Sequence, residues 1–233
     1  NNPAGTHQAN TTAGFSIVTH VGTGAVGTIA HGLNAAPEWI LTKGLDDGHA
    51  WITSHKSKTF SKVIDNSFLA PSPLWNTSDA FADDSTYNNT DPTSSVFTVK
   101  NQGGVNNDGQ NYVNYLFHSV QGFSKFGSYT GNGSTDGPFI YLGFKPAWVM
   151  MRNADDAANW NIYDNERSTE NVMDDILLSN GADAEGAVGG KAIDFLSNGF
   201  KIRGSDNEMN DSGDTHVYMA FVESPFVSSE GVP

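Results

Sequence analysis

The 233-residue chain contains no cysteine, and it has few basic residues. The missing cysteine excludes a disulfide framework, a zinc–thiolate site and cysteine catalysis. Twelve Lys and Arg residues against 26 Asp and Glu give a formal net charge of −14, which repels phosphate backbones and anionic lipid headgroups. No apolar run approaches the roughly 20 residues of a membrane helix. The sequence therefore predicts neither nucleic-acid binding nor membrane insertion.

Motifs of catalysis and cofactor binding are also missing. No G-x-S-x-G, H-E-x-x-H or G-x-x-x-x-G-K-[ST] pattern occurs, so nothing anchors a hydrolase, a metalloprotease or a nucleotide-binding interpretation. The chain starts at Asn1 rather than at Met, which indicates a processed chain or a fragment. We therefore expect a protein that is not an enzyme and that uses no cofactor.

What the sequence does contain is an internal repeat, whose blocks recur in the same order at offsets of 103 to 109 residues. The clearest matches are GFS at 14–16 with GFS at 122–124, PEWIL at 37–41 with PAWVM at 146–150, and NNDGQNYVNYLF at 106–117 with NDSGDTHVYMAF at 210–221. The repeat predicts two domains. Residues 1–13 are a polar linker or arm, 14–121 and 122–227 are the two repeats, and 228–233 are a tail.

Short runs of β-branched and aromatic residues, separated by Gly, Asn and Asp at roughly ten-residue spacing, fill both repeats. This pattern is typical of β-sandwiches and barrels. We predict an all-β fold of two tandem, jelly-roll-like β-sandwich repeats packed together. Trp39 and Trp148 follow prolines in strongly apolar runs and are predicted core residues. The segment 166–178 is a candidate helix or a single helical turn.

Several longer motifs resemble a known family. They are GFSIV at 14–18, AHGL at 30–33 with its following Pro37, PTSSVFTV at 92–99, YTGNGSTDGPF at 129–139, WNIYD at 160–164 and IDFLSNGFKIR at 193–203. Together they resemble an uncharacterised tandem-repeat domain of virion and tail-fibre proteins of tailed bacteriophages. Asn34 and Ala35 depart from the family, which usually has Gly and an aliphatic residue there.

The resemblance implies a structural protein of the extracellular phage particle: a tail fibre, spike or capsid fibre that contacts the host surface, with a glycan as the expected receptor. It carries over no catalytic residues. It implies partners too: other virion proteins and other copies of the chain, commonly as trimers. The charge is −4 over residues 1–121 and −10 over 122–233, so we expect self-association through the first repeat or the N-terminal arm. An assembly or capsid-decoration module and a glycan depolymerase remain the alternatives.

Candidate ligand-binding residues are tryptophans and paired carboxylates. Trp75 lies in a variable loop and has no counterpart in the second repeat. Trp51 and Trp160 occupy equivalent positions of the two repeats, and either burial in the core or stacking on a sugar suits them. The carboxylate pairs Asp46-Asp47 and Asp155-Asp156 suit either acid–base chemistry or, as the favoured interpretation, solvated turns.

Clustered acidic residues leave a calcium site open as an alternative to solvated loops. Oxygen-rich loops of this kind can hold Ca²⁺, although the spacing here is not that of an EF-hand. The candidates before the last strand are Asp206, Glu208, Asp211 and Asp214, and those in the loop of the first repeat are Asp79, Asp83, Asp84 and Asp91.

Overall fold

The computed structural model describes residues 2–58, 62–64, 82–83 and 87–224. These residues form a nearly all-β protein, as predicted. Two compact units divide the chain: unit 1 is Asn1–His118 and unit 2 is Ser119–Pro233. Their boundary lies three residues before the one that the repeat predicts. Among the described residues, no helix is both long and apolar enough to cross a membrane.

Unit 1 is a sandwich of a large and a small antiparallel sheet. Its elements are β1 (Gly5–Asn10), β2 (Phe15–Val21), β3 (Gly27–Ala30), β4 (Trp39–Gly44), β5 (Ile52–His55), β6 (Lys62–Ile64), β7 (Ala82–Asp83), β8 (Val96–Val99), the short helix α1 (Gly103–Asn106) and β9 (Asn111–Phe117), with a 3-10 turn at Lys56–Lys58. The large sheet has the order β1-β2-β9-β4-β5-β6-β7, and β3 pairs with β8 in the small one. Buried side chains of both sheets, such as Val18 and Phe97, form the core between them.

Unit 2 also consists of a larger and a smaller antiparallel sheet. Its elements are β10 (Ser124–Thr130), β11 (Phe139–Tyr141), β12 (Pro146–Asn153), β13 (Asn161–Asp164), β14 (Asp175–Leu178), β15 (Gly186–Ala187), β16 (Ile193–Leu196), β17 (Gly199–Ile202), α2 (Asn207–Asn210) and β18 (Thr215–Val222). The large sheet has the order β10-β18-β12-β13-β14-β15, and the small one β11-β17-β16. Val149 and Tyr218 of the large sheet meet Ile140 and Phe200 of the small sheet in its core.

The strands of the two units pair in corresponding ways. Among the strands that the structure describes, β1 of unit 1 and β16 of unit 2 have no counterpart in the other unit. When the other strands are counted in order along the chain, the strands of unit 1 and those of unit 2 lie next to one another in the same order in their sheets. The register agrees as well: Phe117 lies opposite Trp39, and Phe221 lies opposite Trp148. A superposition of the two units strand for strand remains a prediction.

Two segments differ from the sequence prediction. Residues 1–13 were expected to be a linker or arm, but β1 (Gly5–Asn10) pairs with β2 along its length. Its side chains are mostly exposed, so the strand is held by backbone hydrogen bonds, which leave no apolar pattern to read. The candidate helix at 166–178 does not form. Turns and the strand β14 take its place, with Ile176 of that strand in the core.

A buried asparagine closes one end of each sandwich. Asn106 ends α1, and its amide oxygen accepts a hydrogen bond from the backbone N–H of Thr23 at 2.9 Å while its nitrogen donates to Ala25 O at 2.6 Å. Asn210 of α2 makes the same connection, with Asn132 N at 2.9 Å and Ser134 O at 2.7 Å. Both asparagines are fully buried. Asn106 therefore connects the loop after β2 to α1, and Asn210 connects the loop after β10 to α2.

A stacked histidine–tyrosine pair lies beside each asparagine, with the two residue types exchanged between the units. In unit 1, His20 of β2 stacks on Tyr112 of β9, with ring centroids 4.9 Å apart at 14°. In unit 2, Tyr129 of β10 stacks on His216 of β18, with centroids 5.0 Å apart at 12°. The geometry of the pair is thus the same although neither position keeps its residue.

In each unit, the ring on β2 or β10 forms a hydrogen bond with the equivalent carbonyl of the short helix α1 or α2. Nε2 of His20 lies 2.9 Å from Val105 O, and the Tyr129 hydroxyl donates to Met209 O at 2.6 Å. Burial lowers the pKa of His20 to about 4, against the raising effect of its bond to Val105, so the ring is neutral at pH 7. Nδ1 of His20 accepts from the Asn114 amide at 3.0 Å, which places the proton on Nε2.

The two core tryptophans differ in burial. Trp39 has 0% exposure, as predicted, and its indole N–H donates to Thr53 Oγ1 at 2.7 Å. Trp148 was expected to be equally buried, but it is only half-buried and packs against Phe221 with ring centroids 5.8 Å apart. The apolar run around Trp148 marks a strand correctly but does not tell how completely each face of that strand is covered.

We expect Trp39→Ala to cost about 3–5 kcal/mol of unfolding free energy, the range for large aromatic residues in cores. Trp148→Ala should cost about 1–2 kcal/mol, because a half-buried ring loses less apolar contact area. Urea denaturation of both variants beside the wild type measures the difference. Equal losses in the two variants would contradict this difference in burial.

The exchanged ring pair makes a double-mutant cycle informative. His20→Tyr alone and Tyr112→His alone each create a like pair, whereas the double variant recreates the arrangement of unit 2. We expect the double variant to be more stable than the sum of the single effects by about 1 kcal/mol or more, as for residues in direct contact. Additive effects would show that the two rings act independently. Chemical denaturation at pH 7 of the four proteins gives the coupling energy.

Candidate functional site

The predicted carboxylate pairs both serve loop closure. In unit 1, Oδ2 of Asp46 accepts from Asn111, from its backbone N–H at 2.6 Å and its side-chain amide at 2.8 Å. In unit 2, Oδ2 of Asp155 accepts from the backbone N–H of Thr215 at 2.7 Å. The first carboxylate of each pair therefore binds the loop to the start of the last strand of its unit.

The second carboxylate of each pair shapes its own turn. Asp47 is half-buried, and its Oδ1 accepts from the backbone N–H of His49 at 3.1 Å. Asp156 is exposed, and its Oδ1 accepts from Ala157 N at 2.7 Å. These local hydrogen bonds are those of aspartates in turns.

Of the predicted tryptophan platforms, Trp160 does not offer an open ring. Trp160 is 1% exposed, and the buried guanidinium of Arg152 lies 5.0 Å from its ring centroid. Trp51 is half-buried and stacks on Tyr115 at 5.9 Å. Trp75 lies outside the described residues. A sugar ring needs an accessible aromatic face, so Trp160 cannot supply one.

Among the residues that the structure describes, the aromatic rings most open to solvent lie elsewhere, on the edge strand β11. Phe139 is 45% exposed and Tyr141 is 60% exposed, whereas Ile140 between them is buried in the core. Because side chains alternate along a strand, the two rings share the outer face of the small sheet, roughly 7 Å apart along the strand. We call this pair the aromatic strip.

The neighbours of the aromatic strip keep its rings in place. Gly199 lies opposite Tyr141 in the register, and a Cβ at Gly199 would come within 3.2 Å of the Phe139 ring. The ring of Phe139 therefore leans over a position without a side chain. Lys125 of β10 donates from Nζ to Tyr141 O at 2.7 Å and lies 5.4 Å from the centroid of the Tyr141 ring. These contacts fix the strand edge and one aromatic ring.

The sequence contains a signal for this strip. The triplet FIY at 139–141 has an aliphatic residue between two aromatics, which on a strand places both rings on one face. The strand itself follows from the pattern. That the aliphatic residue, and not the aromatic pair, faces the core could not be read from three residues.

A second candidate is an open cleft of about 530 Å³ in unit 1. The exposed side chains of Val21 and Leu45 form part of its wall, and Asp46 and Asn111 supply a carboxylate and an amide. Thr6 of β1 also lines it. Asp46 and Asn111 bond to each other, so these polar groups already serve loop closure. The rings of the aromatic strip do not take part in loop closure, so the strip is the stronger candidate for ligand contact.

The proposed calcium ligands are engaged in unit 2. Glu208 pairs with the ammonium of Lys191, a residue that is 6% exposed, and Asp206 lies 4.0 Å from the same nitrogen. Oδ1 of Asp206 also accepts from the N–H of Glu208 at 2.9 Å and so caps α2. Part of the oxygen cluster that suggested a cation site thus surrounds the cation of a lysine.

The other two carboxylates of that group bond locally. Oδ1 of Asp211 accepts from Ser212 N at 2.8 Å, and Oδ2 of Asp214 accepts from the Asn153 amide at 2.8 Å. Over the described ranges, no group of three or more His, Asp or Glu side chains is arranged to hold a metal ion.

In the loop of unit 1, Asp91 is exposed. Asp79 and Asp84 lie outside the described residues. The structure describes no side chain for Asp83.

Competing effects set the ionisation of Glu208. Burial acts to raise its pKa, but the hydrogen bond and charge of Lys191, with hydrogen bonds from Asn161 and Asn159, outweigh it and lower the pKa below the usual value. The carboxylate therefore contributes stability at neutral pH, and this contribution is lost as the pH falls through its lowered pKa.

The fold and the site define an all-β protein of two sandwich units, one of which presents an aromatic strip. The chain belongs to the family described as a domain of unknown function, DUF7483, whose match covers residues 3–225. No protein with curated annotation matches the chain, and no solved structure does so.

Replacing Lys191 by Met tests the ion pair. The change leaves Glu208 partly buried without its cation, and we expect a loss of about 2–3 kcal/mol at pH 7. The loss should shrink toward pH 4, because the unpaired carboxyl takes up a proton more readily. Lys145→Met, which breaks the exposed pair with Glu223, is the control and should cost less than about 1 kcal/mol. A loss that does not change with pH would contradict the electrostatic account.

Proposed function

We propose that this protein is a non-catalytic structural component of a tailed-phage particle, such as a tail fibre, spike or capsid fibre, that contacts a glycan on the host cell surface. The sequence resemblance supports the assignment to a phage particle. The observation that supports the glycan is the aromatic strip of Phe139 and Tyr141. The location that follows is the extracellular virion, with other virion proteins as partners.

The strip has the physical properties of a sugar-binding surface. The C–H face of a pyranose ring packs on an aromatic ring, and its hydroxyl groups need polar neighbours. Phe139 and Tyr141 supply two exposed rings, the Tyr141 hydroxyl is a donor and acceptor, and Lys125 stands beside the strand. The rings lie on a paired strand rather than on a loop, so little conformational freedom is lost on binding.

Exposed apolar side chains in unit 1 favour a second role in assembly. Ile17 and Val21 of β2 are 39% and 43% exposed on the outer face of the large sheet. The edge strand β1 beside them carries neither a charged residue nor a proline, the usual protections of a sheet edge. Self-association of copies through unit 1, in trimers for example, is the proposal that follows. A decoration module without receptor binding would use this surface alone.

Truncation of the aromatic strip tests glycan contact. We expect binding of the wild type to a subset of glycans on an array, and a weakening of about three- to tenfold for Phe139→Ala and for Tyr141→Ala, as the loss of one stacking contact implies. Val188→Ala is the matched control, because Val188 is 41% exposed in the same unit and lies outside the strip. All three variants should remain within about 0.5 kcal/mol of wild-type stability.

Two results would overturn the proposal. Equal glycan binding by all variants would place the contact elsewhere, and an array without binding would favour the assembly role. Release of reducing sugar from a bound polysaccharide would show a depolymerase instead. Light scattering of the full chain, beside that of an Ile17→Ser and Val21→Ser double variant, tests self-association through unit 1.

A further inference from the structure

We infer that the aromatic strip selects acidic saccharides, those that carry carboxylate groups such as uronic acids. This inference rests on the proposed glycan contact and narrows its ligand class. The evidence is the placement of three cationic side chains around the two rings, in a unit that is otherwise strongly acidic.

Basic residues in unit 2 are few and unevenly placed. The unit has seven, against 17 acidic residues. Four are engaged away from the aromatic strip. Arg152 and Lys191 are buried, Arg167 is bound between Asp164 and Glu185, and Lys145 pairs with Glu223. The remaining three are Lys125, which contacts Tyr141, Lys201, which lies opposite Phe139, and Arg203, two residues after Lys201.

The strand register brings two of these cations to the strip. Lys201 of β17 lies directly opposite Phe139 of β11. Phe200 and Ile202 on either side of Lys201 are fully buried, so Lys201 and, by alternation, Arg203 face outward with the rings. Lys125 approaches from β10 and holds Tyr141 through its carbonyl oxygen and its ring.

The cations keep donors available for a ligand. Nε of Arg203 lies 3.3 Å from Oδ2 of Asp194, and the guanidinium carries two further nitrogens, the terminal ones. Those nitrogens form a planar fork that fits a carboxylate with two parallel hydrogen bonds. Nζ of Lys201 donates to Gly137 O at 2.9 Å and to Oδ1 of Asp136 at 2.7 Å.

The pair of Lys201 and Asp136 places a carboxylate at the lysine that lies opposite Phe139 in the sheet. Asp136 is 87% exposed, and the hydrogen bond and charge of Lys201 lower its pKa. Exposed ion pairs of this kind contribute little to stability, because solvent screens them and long side chains lose entropy. A saccharide carboxylate can therefore replace the Asp136 carboxylate at Lys201 at small cost, while its ring packs on the strip. Five charged groups face this surface: Lys125, Lys201, Arg203, Asp136 and Asp194.

Two polymers that differ only in charge test the inference. The full-length protein is measured by biolayer interferometry against polygalacturonate and against its methyl ester, in which the carboxylates are neutralised. We expect tighter binding to the acid polymer. Lys201→Gln and Arg203→Gln should each weaken that binding about three- to fivefold and leave binding to the methyl ester unchanged. Lys56→Gln in unit 1, an exposed lysine paired with Glu38, is the control for the change in net charge.

The outcomes separate this inference from the proposed function. Equal binding to both polymers, or equal losses for Lys56→Gln and Lys201→Gln, would overturn the selectivity and leave glycan binding standing. Binding only to neutral glycans on the array would do the same. No binding to either polymer or to any arrayed glycan would overturn both. Binding to polygalacturonate that Phe139→Ala does not weaken would show a charge contact without the aromatic strip, and would also contradict the inference.

Discussion

The buried amide groups of Asn106 and Asn210 set the shape of the loop end of each unit. Each amide accepts a hydrogen bond from a backbone N–H of a facing loop and donates one to a backbone carbonyl of that loop, so losing the side chain would leave buried backbone groups unpaired. The adjacent loop glycines are required by the same closeness. A Cβ on Gly22 would come 2.0 Å from Asn107 O, and one on Gly131 would come 2.0 Å from Asp211 O. The loop end of each unit therefore depends both on the asparagine amide and on the absence of a side chain at the adjacent glycine.

The small sheets of the two units differ outside the core. In unit 2 it has the extra strand β16 and an outer face that carries the aromatic strip. The core side of the same strands holds Ile140 and Phe200. We expect a substitution on the outer face to leave this packing intact. The inner face of these strands therefore serves the core, whereas the outer face is open to solvent.

The sequence predicted the fold class because alternation, turn residues and the repeat all indicate β structure. It could not tell β1 from a linker, since an exposed edge strand is held by backbone hydrogen bonds that any residue can make. It also placed Trp148 deeper than it lies, because burial depends on what covers each face. The acidic group around Glu208 suggested a cation, but the partner, Lys191, lies 17 residues away in the chain and only the fold brings it near. The aromatic strip was missed for another reason: three residues do not reveal which face of their strand points outward.

The exchange of histidine and tyrosine between His20 with Tyr112 and Tyr129 with His216 bears on how such units are compared. An alignment that scores positions one at a time counts two differences there, although the stacked pair and its bond to the helical carbonyl are the same. What is retained is the joint shape and hydrogen-bonding capacity of two neighbouring rings. Searches for related units gain sensitivity when facing positions on paired strands are scored together, because the quantity under constraint belongs to the pair.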